Sequence, residues 1–180
     1  MSDSAGQARA LTVLAPIEPG REEALRSHLQ SLPSGSESPL ASVPATHFAR
    51  WVIVGQLVFQ GPPQRHDELD FAYLLFTSNF DGPLEPYLEA LCEKLGETAD
   101  VVWGHCRGWH GNGDQAGAKE YLRRNRIATS LFVSGYPQAT LGEVLTALEL
   151  RERVTAFAIQ AQGLGSEALA RAWQREFGDA

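Results

Sequence analysis

The chain has 180 residues, of which 43% are hydrophobic and 21% charged, so it is long enough to bury a core of its own. A net charge of -7 argues against a nucleic-acid partner or an anionic membrane surface, and no stretch approaches the roughly 18 consecutive apolar residues of a membrane span. The two cysteines are too few for a disulfide framework, and with no signal sequence this predicts a cytoplasmic protein.

The first half of the chain predicts three strands and one helix. A short apolar run at 10–16 is typical of a strand, and leucines at helical spacing over 21–32 predict a helix after it. The Ser- and Pro-rich stretch 33–45 predicts a loop. Two runs rich in β-branched and aromatic residues, 46–59 and 71–78, then predict strands that pair as an antiparallel hairpin.

A second helix and a fourth strand complete the predicted core. The leucine stripe of 84–95 predicts the helix, and the β-branched run 100–106 predicts the strand. The order strand, helix, strand, strand, helix, strand predicts an α+β fold with a ferredoxin-like βαββαβ core and an antiparallel sheet. We therefore predict a single domain, 1–180, in which 10–106 form this core and 107–180 form a C-terminal extension.

The extension is predicted to contain one more strand and three helices. A helix is expected over 119–124 and a strand over 128–136. Thr140 and Glu143 have the spacing of a capping box and predict the start of a long helix. Ser166 can cap a last, shorter helix.

Strand alternation predicts a pocket on the sheet. His47, Ala49 and Trp51 fall on one face of the second strand, and Arg50 falls on the other. If the first face is free of helices, it forms an apolar pocket with a few polar groups, together with Tyr73, Leu75 and Thr77. Packing of Trp51 in the core is the equally favoured alternative.

Histidines also follow the predicted fourth strand. His105, Cys106 and His110 form an H-C-x-x-x-H string, which is too short and too incomplete for a structural zinc site. A single histidine in an apolar pocket is enough to ligate haem, whereas the simpler interpretation of His105 is a hydrogen bond that closes the strand end. We predict no metal site.

Three segments carry a resemblance to a known group of proteins. THFARWVIV, LLFTSNFDG and VVWGHCRGWHG, within the βαββαβ order, resemble bacterial members of the dimeric α+β barrel superfamily over roughly residues 10–137. The resemblance implies two facing ferredoxin-like sheets in a homodimer. That superfamily includes antibiotic-biosynthesis-type monooxygenases, chlorite dismutase-like haem proteins and dye-decolourising peroxidases. The peroxidases of that superfamily carry the string Gly-x-x-Asp-Gly. In this sequence Ser78 stands in place of the first glycine, and a turn is the favoured interpretation of Asp81.

These observations predict a small-molecule-handling protein, an oxidoreductase or monooxygenase-like enzyme acting on a hydrophobic or haem-like ligand. A non-catalytic module that uses the sheet face as a dimer interface is one alternative, and a haem-binding protein with one histidine ligand is another. The expected partners are a second copy of the chain and a small molecule. The candidate catalytic residues are His47, His105 and Asp81, and the candidate ligand-binding residues are Trp51, Tyr73, Thr77, Asn79, Arg50 and His110.

Overall fold

The chain forms two compact units, Met1–Leu141 and Gly142–Ala180. The computed structural model describes residues 3–56, 58–63 and 69–178. Over these residues the fold is α+β, with a four-stranded antiparallel sheet and six α-helices. The boundary between the units therefore lies inside the region predicted as the C-terminal extension.

The sheet of the first unit consists of strands β1 (Ser4–Ala5), β2 (Ala8–Pro16), β3 (Thr46–Val54) and β4 (Tyr73–Asp81). Their order across the sheet is β1-β2-β4-β3, and every neighbouring pair is antiparallel. The predicted pairing of β3 with β4 is confirmed. Strand β3 ends at Val54, before the predicted end, and Leu57 lies outside the described residues.

One face of the sheet forms the core, because alternate side chains point into it. Phe76 and Phe80 of β4 are completely buried there, and burial of one such side chain contributes about 1.5–3 kcal/mol. Four helices supply core residues or pack on them: α1 (Glu22–Ser31), α2 (Leu84–Leu95), α3 (Glu97–Trp103) and α4 (Gln115–Arg124). The predicted helices at 21–32, 84–95 and 119–124 are thereby confirmed.

The opposite face of the sheet is half-buried or exposed over its described residues, except at Ala8, which is buried. We call it the outer face. It mixes apolar and polar side chains, with one arginine among them. Its members are Ala8, Ala10, Thr12, Leu14 and Pro16 of β2, Phe48, Arg50, Val52 and Val54 of β3, and Tyr73, Leu75, Thr77 and Asn79 of β4.

The predicted strand over 100–106 is wrong, because residues 97–103 form helix α3. Ala99, Val102 and Trp103 are buried, and this spacing of three and four residues is helical. Gly96, which ends α2 with a φ of 47°, lets the chain turn and begin α3 at once. Packing of one helical face therefore prevails over the strand preference of the β-branched pair.

The predicted strand over 128–136 is also wrong, because these described residues form no strand. The outer edge of β2, where a further strand would pair, is already occupied by short segments. Strand β1 pairs with Ala8 and Arg9, and isolated bridges join Val13 to Arg126 and Ile17 to Cys106. Three fragments thus fill the place of one continuous strand.

The second unit is built from α6 (Ser166–Phe177) and from the part of α5 (Leu141–Gln160) beyond its first residue. Both predicted helices are confirmed. The Phe157 ring lies 5.5 Å from the rings of Trp173 and Phe177, measured between centroids. Among the described residues, no helix is both long enough and apolar enough to cross a membrane.

Candidate functional site

A β-bulge at the start of β3 changes the direction of one side chain. Thr46 pairs with Phe80 and Phe48 pairs with Asn79, so His47 is an extra residue without a partner on β4. The Thr46 hydroxyl lies 3.1 Å from that of the buried Tyr87, which places Thr46 on the core face. His47 and Phe48 line one cavity together on the other side. The prediction that His47 lies on the same face as Ala49 and Trp51 is therefore wrong.

The bulge brings His47 into contact with Asp81, the last residue of β4. The His47 Nε2 atom lies 2.7 Å from Asp81 Oδ1, and the two side chains are only 4% and 12% exposed. The second carboxylate oxygen of Asp81 accepts the backbone N–H of Leu141 at 2.6 Å. Both oxygens are thus engaged, so the carboxylate cannot rotate freely.

This pairing fixes the proton arrangement of the imidazole. An ionised carboxylate only accepts hydrogen bonds, so Nε2 carries the proton that Asp81 accepts. In the neutral tautomer with the proton on Nε2, Nδ1 is an acceptor. A histidine oriented by a buried carboxylate in this way is the arrangement that makes imidazole a general base in enzymes.

A cavity of about 170 Å³ adjoins the dyad of His47 and Asp81. Its wall includes Ala8, Phe48, Asn79 and the segment 132–136, which crosses over this end of the sheet. The Tyr136 ring lies 5.8 Å from the His47 ring. The segment that was predicted as a strand therefore forms part of the cavity wall.

A second, larger cleft continues from this cavity along the outer face. Its volume is about 420 Å³, and its lining shares Phe48 and Asn79 with the cavity. Arg50 and Thr77, which are directly opposite each other in the register, complete the polar part of its wall. The Arg50 Nε atom donates to Thr77 Oγ1 at 3.1 Å. A cation and a histidine–carboxylate dyad thus lie on one continuous surface.

Trp51 does not belong to this surface, so the predicted grouping of Trp51 with Tyr73, Leu75 and Thr77 is wrong. The antiparallel register places Trp51 opposite Phe76 on the core face. Its ring lies 5.7 Å from that of Phe76 and 6.0 Å from that of Trp103. Core packing, the alternative for Trp51, is what the structure shows.

Arg50 takes the place that was predicted for Trp51. Because it lies opposite Thr77, it shares the outer face with Tyr73 and Asn79. Tyr73 is at the other end of β4, where it pairs with Val54 and lines neither the cavity nor the cleft. The structure therefore joins Arg50, Thr77 and Asn79 to the dyad and leaves Tyr73 apart.

The two other candidate histidines are remote from the dyad. Residue 106 bridges to Ile17 at the end of β2, whereas the dyad lies at the Ala8 end. Nine residues of strand separate these ends, a distance of roughly 30 Å. The His105 Nδ1 atom lies 2.6 Å from the carbonyl oxygen of Val101, and His110 is exposed. The structure therefore brings neither of them to the candidate site.

Thiol and metal chemistry have no support at the described residues. Burial raises the pKa of Cys92 to about 11 and that of Cys106 to about 12, so both thiols are protonated at neutral pH. Within 3–56, 58–63 and 69–178, no group of three or more His, Cys, Asp or Glu side chains could hold a metal ion.

The cavity beside His47 is by itself too small for the haem that the resemblance implies. Sites that enclose a drug-sized ligand have volumes of about 300–1,000 Å³, and haem is at least that large. The cavity of about 170 Å³ is below this range. His105 lines neither this cavity nor the adjoining cleft.

Comparison of the chain with models of protein families, with curated proteins and with solved structures found no match. The geometry of the site is therefore the basis for assigning a function to the chain.

Sequence reasoning missed the roles of Tyr136 and of the Leu141 N–H. Tyr136 is the last residue of a segment with strong strand preference, where the local pattern predicted a strand, and Leu141 follows that segment. The sequence carries no signal for the bulge at His47, because no glycine stands at that position.

Proposed function

We propose that the chain is a small-molecule-handling enzyme in which His47, oriented by Asp81, acts as a general base on a ligand bound at the outer face. The observation that carries this proposal is the 2.7 Å contact between His47 Nε2 and Asp81 Oδ1 beside a cavity. The hydrogen bond from Leu141 to the second carboxylate oxygen supports it, because a fixed carboxylate holds the imidazole in one orientation.

The proposed step is a proton transfer. His47 Nδ1 takes a proton from an acidic C–H or O–H group of the ligand, whose electron pair remains on the ligand as a carbanion, enolate or alkoxide. The positive charge that forms on the imidazole is stabilised by the Asp81 carboxylate. Such positioned bases contribute about 10²–10⁴-fold to reaction rates.

The apolar part of the site favours a hydrophobic ligand. Phe48, Phe132 and Val133 line the cavity, and Asn79 is its polar neighbour. Oxidoreductase or monooxygenase-like chemistry remains within the proposal, since removal of a proton is one step of many such reactions. The dyad accounts for that step alone.

A second copy of the chain is the proposed cover of the outer face. Phe48, Leu131 and Val133 are 68%, 82% and 74% exposed, and contiguous exposed apolar surface marks contact sites. Together with β3, whose outer edge carries no further strand among the described residues, they form a patch beside the cavity. A homodimer that buries this patch would also enclose the ligand.

The proposal also includes a ferredoxin-like topology for the sheet. The order β2-β4-β3, with α1 between β2 and β3 and α2 after β4, is the order expected for the first three strands of a ferredoxin-like core. The fragments on the outer edge of β2 would then replace its fourth strand. Two facing sheets of this kind would make a dimeric α+β barrel.

The alternative is a non-catalytic module in which the exposed patch is only an interface. Light scattering on the full chain measures the association, and Phe48→Glu should weaken it in either case. An enzyme additionally needs an active His47, whereas a module does not. Association together with an inert His47 would therefore favour the module.

Hydrogen exchange in D₂O tests the base. Acetone and pyruvate, as small carbonyl probes, should lose their methyl proton NMR signals faster with the wild-type protein than with His47→Gln. Asp114→Asn serves as the control, because Asp114 is exposed and makes no capping hydrogen bond. Equal rates for the wild type and His47→Gln with both probes would contradict the proposal.

A further inference from the structure

Arg50 is a cation on an otherwise mainly apolar strand. Its neighbours along the outer face of β3 are Phe48 and Val52, and both are exposed beside it. Arg50 is itself exposed, so its guanidinium is accessible to an anionic ligand. Arg50 takes part in none of the ion pairs formed among residues 3–56, 58–63 and 69–178.

The contact with Thr77 gives the guanidinium a defined direction. Thr77 Oγ1 accepts from Nε at 3.1 Å, and this bond does not use the two terminal nitrogens of a side chain that lines the cleft. Those nitrogens form the fork that matches the two oxygens of a carboxylate. Arg123 shows the contrast, since its fork is already occupied by Glu85 and Glu120.

The position of Arg50 relative to His47 sets the size of the ligand. Arg50 is three positions after His47, a distance of at most about 10 Å between the backbones. The cleft of Arg50 and the cavity of His47 meet at Phe48 and Asn79. A ligand of a few atoms between its acidic group and its reactive group can therefore contact both side chains.

We propose that Arg50, oriented by Thr77, binds the carboxylate of a small organic acid whose reactive atom lies at His47. This inference rests on the proposed function, because it assigns a substrate class to the same site. The net charge of -7 makes the test stringent, since the overall field of the protein repels anions. A preference for an anionic reagent must then come from a local cation.

Alkylation with a matched pair of reagents measures that preference. Bromoacetate and bromoacetamide differ in charge and react alike, since the unprotonated imidazole nitrogen displaces bromide from the CH₂ group and an N–C bond replaces the C–Br bond. Mass spectrometry of peptides gives the rate at each histidine. The exposed His110 provides the intrinsic ratio of the two reagents within the same molecule.

We expect the ratio of bromoacetate to bromoacetamide labelling to be at least about tenfold higher at His47 than at His110. Arg50→Gln should bring the His47 ratio down to that of His110, and Arg50→Lys should keep part of the preference because the charge remains. Arg124→Gln is the matched control, because Arg124 is exposed and has no ion pair among the described residues. It should leave the ratio unchanged.

Two results would overturn the inference, and they can be told apart. Labelling of His47 with the same ratio as His110, or a high ratio that survives Arg50→Gln, removes Arg50 as the carboxylate site and leaves the general base intact. No labelling of His47 by either reagent shows that Nδ1 does not face the cavity, so the proposed function fails and this inference with it. Circular dichroism of each variant checks that it is folded.

Discussion

The substitution Asp81→Asn tests the dyad directly. The wild-type carboxylate accepts two hydrogen bonds, from His47 Nε2 at 2.7 Å and from the Leu141 N–H at 2.6 Å. An asparagine offers one oxygen and one NH₂ group. With its oxygen at His47, the NH₂ group faces the Leu141 N–H donor; in the other orientation it faces Nε2, which accepts only if the ring proton moves to Nδ1. In the first orientation one nearly buried donor loses its acceptor, at a cost of about 1–3 kcal/mol, and the remaining bond loses its charge assistance.

We therefore expect Asp81→Asn to lower the free energy of unfolding by about 3 kcal/mol. For a chain of this length the midpoint of thermal unfolding should fall by roughly 6–12 °C. Tryptophan fluorescence in a Trp173→Phe background, followed during urea unfolding, reports on the first unit alone. The other three tryptophans of the sequence, Trp51, Trp103 and Trp109, all lie in that unit.

Nitrogen NMR of the histidine rings provides the second measurement. In the wild type the His47 shifts should show one tautomer with the proton on Nε2, and in Asp81→Asn they should show a mixture. Asp114→Asn, at an exposed position, should change neither measurement. If Asp81→Asn stayed within about 0.5 kcal/mol of the wild type with unchanged His47 shifts, the reasoning from the two hydrogen bonds would be refuted.

Three further predictions concern the first unit. Cys106 should resist iodoacetamide at pH 8 in the folded protein and react after unfolding in urea, because burial raises its pKa to about 12, and rapid labelling of the native protein would contradict this. The hydrogen bond with Arg123 lowers the pKa of Glu85. The ionised Glu85 therefore stabilises the fold above its usual pKa, and this stabilisation is lost as the pH falls through the lowered pKa. Glu85→Gln should thus destabilise the protein at pH 7 in urea unfolding, and this difference should shrink as the pH is lowered. A difference independent of pH would disagree. Trp51→Ala should cost about 3 kcal/mol in the same assay and Phe48→Ala less than about 0.5 kcal/mol, because only Trp51 packs against the core, and similar losses would show that the two faces are assigned wrongly.

The amphipathic elements of the first unit could be predicted because each has one buried face. The stripe of Leu88, Leu91 and Leu95 predicts α2, and these residues are buried in the structure. Segment 97–103 shows where such prediction fails. Its β-branched pair Val101 and Val102 favours a strand locally, whereas burial of one helical face against the core decides the outcome.

The members of the site could be predicted in part, but their arrangement could not. Strand and turn patterns identify five of these residues as candidates: His47, Asp81, Arg50, Thr77 and Asn79. Which of them lie together depends on the register of β3 against β4. A shift of one residue in that register moves the side chains of a strand to the opposite face of the sheet. The bulge at His47 introduces such a shift, and only the paired strands reveal it.

The wrong strand prediction and the existence of the site have one physical cause. A strand over 128–136 on the free side of β2 would lie three strand spacings from β3, or about 14 Å. From there Tyr136 could not approach His47, and the chain that leads to the Leu141 N–H would begin on the far side of the sheet. Short fragments instead occupy the β2 edge, so segment 132–136 is free to cross to the end of the sheet where β3 begins. The backbone that the sheet does not use as a strand therefore supplies the wall of the cavity and the hydrogen bond that fixes Asp81.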